Sequence, residues 1–182
     1  MPEAFTVRTC SPDDAETIAS LGARLFVQAY GPTHPEPELS RYLARSFSVE
    51  RFTRELRDAD VRVLVAEASD GQAIGYAHLR RTLDALPPGV TETRAVEIIR
   101  FYVDAAFHGQ GVAQALMKAC EEETRLLGGH LLWLSVWQEA PRPQAFYRRA
   151  GFEVVGTTTF AFGDRQDDDF VMARPLPPSV IS

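Results

Sequence analysis

The sequence predicts a mixed α+β fold built on a central mixed sheet of six to seven strands with helices on both faces. Three observations carry this. The periodic segments run strand, helices, hairpin, strand, helix, strand, helix, strand, strand, which mixes antiparallel hairpins with helical crossovers. The length, 182 residues, suits one domain that buries enough surface to fold without disulfide or metal staples. The composition, 45% hydrophobic and 24% charged, is that of an ordinary globular chain, and no repeat or low-complexity block interrupts it. Residues 1–174 are read as a single domain and 175–182 as a C-terminal tail that frays.

Phe5-Thr6-Val7-Arg8 alternates as a short strand. Ser11-Pro12-Asp13-Asp14 starts a helix, with Ser in the capping place, Pro at the first helical position and acids where the helix dipole favours them. Ile18, Leu21, Leu25 and Phe26 recur at helical spacing. Gly31 to Pro37 breaks into a loop. Leu39 to Leu56 reads as one or two further helices, the second capped by Ser48. Val61–Glu67 and Ala73–Arg80 form a hairpin about Ser69-Asp70-Gly71-Gln72. A loop at Leu86-Pro87-Pro88-Gly89 precedes Ala95–Val103, the most strand-like run of the chain. Gly111–Leu127 is the strongest helix, with Val112, Leu116, Ala119, Cys120 and Leu127 as its apolar stripe and Gly128-Gly129 as its stop. Leu131–Val136 reads as a buried strand and Pro143–Ala150 as a short helix closed by Gly151. Phe152–Phe160 and Phe170–Ala173 are the last strands, around a polar turn that takes in Asp167-Asp168-Asp169.

Composition also excludes functions. Nineteen basic residues against 25 acidic ones give a net charge of −6, which is ill suited to neutralising phosphates, so nucleic acid is not expected as a partner. The same balance tolerates a cationic substrate. No apolar run approaches the roughly 18 residues of a membrane span, and Met1-Pro2-Glu3-Ala4-Phe5 lacks a secretory n-region. A cytoplasmic chain without a membrane partner is therefore expected. Cys10 and Cys120 are too few for a disulfide scaffold, and neither reads as a nucleophile. His34, His78, His108 and His130 show no metal-ligand spacing, so no metal site is expected.

One constellation points to a ligand. The strand ending at Val103 passes through Asp104-Ala105-Ala106-Phe107 into His108-Gly109-Gln110-Gly111-Val112-Ala113 and then the strong helix. Glycines at a strand-to-helix turn let a ligand approach the backbone, and the free N–H groups of the helix start face it with the positive dipole end behind them. That is a cradle for a pyrophosphate. A P-loop would need Gly-Lys-Ser/Thr, which is absent, and the dinucleotide fingerprint needs a third small residue where Gln114 stands. Glu97 is a candidate base: in strict alternation it shares a face with Ile99, Phe101 and Val103, and desolvation there raises a carboxyl toward the useful range. The bland alternative is a rim carboxylate bonded to Arg100 or Arg80.

The run Arg100-Phe101-Tyr102-Val103 with His108-Gly109-Gln110-Gly111-Val112-Ala113 resembles the acetyl-CoA motif of the GNAT superfamily of N-acetyltransferases, usually Arg/Gln-x-x-Gly-x-Gly/Ala. Gly111 and Ala113 hold the small positions and His108 stands in place of Arg or Gln. Ala145-Phe146-Tyr147-Arg148-Arg149-Ala150-Gly151-Phe152 resembles the family's second signature, A-x-x-F/L-Y-x-K/R-x-G-F, and Ala140 stands where the family often has Asn. The resemblance spans nearly the whole chain. It implies a GNAT-like fold and an acetyl-CoA-dependent N-acetyltransferase whose acceptor, the primary amine of a small molecule, attacks the thioester directly.

The same resemblance implies the site. Backbone groups of Phe101, Tyr102 and Val103 would pair with the pantetheine arm, the turn His108, Gly109, Gln110, Gly111, Val112, Ala113 would hold the pyrophosphate, and Phe146 and Tyr147 would complete the cofactor site. Glu97, six residues before Val103, resembles a base position of some members, acting directly or through water. Tyr147 would serve the departing thiolate, the alternative being a packed aromatic. Phe26 through Phe47 resembles the polyamine- and small-amine-acetylating branch, which makes polyamines the first acceptor class, drawn in by Glu36, Glu38, Asp84 and Glu139. The opposing readings are an amino-acid or protein amine met by Arg80, Arg81 or Arg94, and a non-catalytic acyl-CoA sensor. A homodimer is compatible with all of them.

Overall fold

Caps and turn glycines decide where the elements begin and end. The computed structural model describes residues 4–178. Strand β1 (Phe5–Thr9) leads through a 3₁₀ turn at Pro12–Asp14 into helix α1 (Ala15–Tyr30). The Ser11 N–H donates to the Asp14 carboxylate at 2.8 Å, so the sequence signal for this start is realised. Helices α2 (Glu38–Ser46) and α3 (Val49–Glu55) follow, the second capped by the Ser48 hydroxyl accepting from the Arg51 N–H at 3.2 Å. Strands β2 (Val61–Ala68) and β3 (Ala73–Arg81) form the expected hairpin, and the Asp70 carboxylate accepts from the Gln72 N–H at 2.9 Å within its turn. Then come β4 (Ala95–Val103), a 3₁₀ turn at Ala105–Phe107, α4 (Val112–Leu126), β5 (Leu131–Trp137), α5 (Pro141–Arg149), β6 (Glu153–Phe162) and β7 (Arg165–Pro175).

The seven strands form one sheet in the order β1-β2-β3-β4-β5-β7-β6. Strands β1 and β2 pair antiparallel, β4 and β5 parallel, and β7 pairs antiparallel with both β5 and β6, so the sheet is mixed as the element order predicts. The parallel ladder runs from Ala95↔Leu131 to Glu97↔Trp133, whereas β5 pairs with β7 over all seven of its residues. Among the described residues no helix is long and apolar enough to cross a membrane.

Contacts group the chain into two compact units, Met1–His78 with Arg100–Cys120, and Leu79–Ile99 with Glu121–Ser182. In the first, Ile18, Leu25, Phe52, Leu64, Ile74 and Leu116 are fully buried, and a chain of rings runs through Tyr30, Phe26, Tyr42, Phe47 and Phe52. In the second, Val90, Ala95, Leu131, Trp133, Val171 and Ala173 make one apolar cluster with Leu86 against it. The Trp133 indole N–H donates to the Thr82 hydroxyl at 2.9 Å, which satisfies its only polar group.

Several boundaries depart from the sequence reading. Helix α5 begins at Pro141 rather than Pro143, because a proline needs no partner for an N–H in the first helical turn. Strand β6 extends to Phe162, and β7 begins at Arg165 rather than Phe170. Asp167, Asp168 and Asp169 therefore lie inside β7, not in a turn, and the reversal falls at Gly163-Asp164. Strand β7 includes Pro175, and Leu176 is buried with its N–H on the His130 carbonyl at 2.8 Å. The tail expected to fray from 175 is therefore held through Leu176, and its last residues, 179–182, lie outside the described residues.

In the second unit a Cβ at Gly129 would lie 2.7 Å from both Thr124 Cγ2 of α4 and Val96 Cγ2, so Val96 packs beside that end of the helix. In the first unit a Cβ at Gly75 would lie 3.3 Å from both Leu116 Cδ1 and Val103 Cγ2.

Candidate active site

The strand-to-helix turn is built as the sequence demands. Gly109 and Gly111 have φ of +77° and +86°, values that a side chain disfavours. A Cβ at either would meet nothing within 4 Å, so backbone conformation and not crowding requires glycine, and open space lies over the turn. The His108 ring Nε2 donates to the Val103 carbonyl at 2.9 Å, and the Gln110 amide donates to the Ala106 carbonyl at 3.2 Å. These two side chains brace the turn itself.

The turn is clasped to α1. The Asp104 carboxylate accepts from Arg24 Nη1 at 2.5 Å, from Gln28 Nε2 at 3.3 Å and from the Ala106 N–H at 3.1 Å, while Gln28 Oε1 accepts from the Ala105 N–H at 2.9 Å. Burial alone would raise the Asp104 carboxyl, but the Arg24 bond, the Ala106 N–H and Gln28 together hold it below its usual range. Neither Arg24 nor Gln28 is marked by any motif. Helical spacing of four residues, which sets both over one point, is the signal that would have found them.

In the second unit, Glu97 is half-buried on β4 opposite Trp133 of β5. Burial raises its carboxyl above the ordinary value, with the Arg80 charge acting the other way. Tyr147 is 8% exposed on α5, edge-on to Phe146 at 5.4 Å and to Phe152 at 5.8 Å between ring centroids. Gln144, one turn past Ala140, is buried, and its amide donates to the carbonyls of Trp137 and Gln138 at 2.9 Å each. It closes the bend between β5 and α5, where a side chain at Ala140 provides no such bond. Phe101, Tyr102 and Val103 lie in the first unit with the turn; Glu97, Phe146 and Tyr147 lie in the second.

Three further groups escaped the sequence reading. Asp167 and Asp169 are each 6% exposed, and Arg165 Nε donates to Asp167 at 2.6 Å while its guanidinium stands 5.4 Å from the centre of the Trp137 ring system. Burial, with the nearby Asp167 and Asp168 charges, pushes Asp169 up to about 6 against the Ser135 hydrogen bond. Arg100, 7% exposed, lies over the Phe47 ring at 4.6 Å. Cys10, by contrast, fits its dull reading, since burial pushes its thiol up to about 12 and leaves it protonated at neutral pH. Among the described residues no group of three or more metal-ligating side chains occurs.

Comparison with known proteins bears on the family and the fold. Residues 23–152 match the family model of the acetyltransferase (GNAT) family. An uncharacterized N-acetyltransferase of Mycobacterium tuberculosis is 34% identical over 163 residues, covering 90% of this chain and 98% of the relative. An aminoglycoside N(6')-acetyltransferase type 1 of Stenotrophomonas maltophilia is 30% identical over 151 residues, covering 82% of this chain and 87% of the relative. The fold matches that of the PaiA N-acetyltransferase from Thermoplasma acidophilum, crystallised with coenzyme A, with a TM-score of 0.76 at 20% identity over 94% of this chain and 99% of that one. With a family match that spans most of the chain and relatives aligned almost end to end, the chain belongs to the acetyltransferase (GNAT) family of acyltransferases.

Proposed function

We propose that this chain takes acetyl-CoA at the β4–α4 turn and transfers its acetyl group to the primary amine of a small molecule. The observation that carries the reading is the pair of positive-φ glycines with open space above them at the start of α4. Backbone N–H groups at a helix start suit a pyrophosphate. The arm of the cofactor then runs back along the backbone of Phe101, Tyr102 and Val103. The relative that acetylates aminoglycosides supports a small amine as acceptor.

The chemistry follows from two demands. The incoming amine arrives mostly protonated, at a pKa of about 10.4, so it must lose a proton before its lone pair can form the N–C bond. Glu97, raised by burial, takes that proton directly or through a water. As the C–S bond breaks, the electron pair goes to sulfur, whose acid has a pKa of about 8.5. The Tyr147 hydroxyl donates a hydrogen bond to that thiolate. A pKa near 10 makes a phenol a hydrogen-bond donor here more readily than a full proton donor.

The test is an acetyl-CoA turnover screen over amines, amino acids, aminoglycosides and polyamines, read as free thiol, with Gly111→Glu beside it. The variant puts a side chain and a like charge in the open space over the turn. Cofactor affinity is expected to fall at least tenfold, about 1.4 kcal/mol. Equal calorimetric binding by variant and parent would remove the proposed site. Tight binding with no acceptor turned over would identify an acyl-CoA sensor instead.

A further inference from the structure

In the first unit a run of side chains, Arg51, Glu55, His78 and Arg100, sets two guanidiniums against one carboxylate. Arg51 Nε donates to Glu55 Oε1 at 2.9 Å, and Glu55 Oε2 stands 3.3 Å from His78 Nε2. Arg100 Nη1 lies 3.4 Å from His78 Nδ1. A guanidinium has only donors, so Nδ1 accepts, and the ring of a neutral His78 carries its proton on Nε2, toward Glu55. Glu55 therefore answers Arg51 directly and is linked to Arg100 only through the His78 ring. Among the described residues no carboxylate accepts from Arg100, which is 7% exposed with its face on Phe47.

An orphan hydroxyl lies at the same place. Tyr76 is fully buried and its Oη has no hydrogen-bond partner. A Cβ at Gly22 would come within 2.9 Å of that Oη and 2.7 Å of the Phe47 ring, so the hydroxyl lies beside the ring that carries Arg100. A buried guanidinium without an acid and a buried phenol without an acceptor are each unfavourable alone. A carboxylate would complete both, taking the planar fork of Arg100 and the O–H of Tyr76.

We propose that Arg100 and Tyr76 receive a carboxylate of the acceptor, which makes the acceptor an amine that also carries a carboxylate and not a polyamine. The inference rests on the proposed acetyl transfer to a small amine. With the pyrophosphate at the turn beyond Val103 and the arm running back along β4, the thioester end points toward Arg100, the residue before Phe101. The anion held there belongs to the acceptor rather than to the phosphates of the cofactor.

The experiment titrates the CoA-saturated protein calorimetrically with individual L-amino acids, their carboxamides and spermidine, and follows acetylation of each by free thiol. At least one amino acid is expected to bind and to exceed its carboxamide tenfold in kcat/KM. Tyr76→Phe is expected to cut that preference at least threefold, through KM, with the Kd for CoA within twofold of the parent and a Tm no lower. Arg100→Lys keeps the charge, loses the fork, and is expected to cut it further. A carboxamide or spermidine equal to every amino acid, or a preference unchanged in Tyr76→Phe, overturns the inference. Turnover of spermidine with no amino acid used leaves the acetyl-transfer reading standing and removes this one. Amino-acid binding lost in Tyr76→Phe, with no compound acetylated, does the reverse. No binding and no turnover of any amino acid overturns it outright.

Discussion

Tyr147 acts, in the proposed mechanism, on charge that appears only as sulfur departs. Its removal should therefore strike turnover more than cofactor capture. Tyr147→Phe keeps the ring contacts with Phe146 and Phe152 and is expected to lower kcat about 10²-fold or more with KM for acetyl-CoA little changed. Steady-state kinetics decide, and a variant within about twofold of the parent returns Tyr147 to packing. Asp169 offers a test of a different kind. Its folded carboxyl is raised to about 6, while an unfolded Asp titrates near 3.9. Between those values the folded chain holds a proton the unfolded chain has lost, so stability falls as pH rises through that window and stays lower above it. Asp169→Asn is expected to gain about 1–3 kcal/mol at pH 8 and almost nothing at pH 4. Denaturant titrations at the two pH values compare them, and an equal gain at both would show that charge is not the cause. Neither the burial of Asp169 nor the ring contact of Arg100 was legible in the sequence. Three consecutive acids have the composition of a solvated turn, and only the alternation with buried Val171 and Ala173 places Asp167 and Asp169 inward. Arg100 stands in an apolar strand, where a lone charge reads as a rim contact.

Elements were more legible than residues because periodicity averages over many positions. The β4 strand, the α4 helix and the turn between them could be placed from Ala95–Val103, Gly109, Gly111 and the stripe from Val112 to Leu127. What could not be placed was the clasp on Asp104, because its partners lie about 80 residues away on α1. It predicts a selective effect. Asp104→Asn removes the charge that holds Arg24 but keeps the size, and Arg24 is half-exposed, so the loss is at most about 1 kcal/mol. CoA affinity is expected to fall up to fivefold in calorimetry with kcat nearly unchanged. A fall in kcat with Kd unmoved would place Asp104 in the chemistry and not in the turn.

For the whole molecule, the family could be read from two short motifs because each encodes a backbone requirement: glycine at positive φ, and a helix closed by Gly151 at φ +91°. Acceptor chemistry could not be read the same way. The −6 net charge favoured a cation, but net charge governs long-range attraction and says little about a buried contact. Gly22, Phe47, Tyr76 and Arg100 meet only through folding, across nearly 80 residues of sequence.

With the cofactor bound as proposed, the Asp104 clasp makes helix α1 a partner in ligand binding although no ligand need touch it. Arg24 and Gln28 are one helical turn apart and hold the same carboxylate, so whatever steadies the turn also closes the middle of the helix. Amide hydrogens of Ala15–Tyr30 that exchange through local opening then report on occupancy. The coupling is reciprocal, so CoA can slow exchange through the clasp by no more than the affinity the clasp adds, at most about fivefold or 1 kcal/mol. Deuterium uptake across α1 is expected to fall on addition of CoA in the parent and to respond far less in Asp104→Asn. Uptake in α1 that ignores CoA in the parent would mean that the turn closes on its ligand without drawing the helix along.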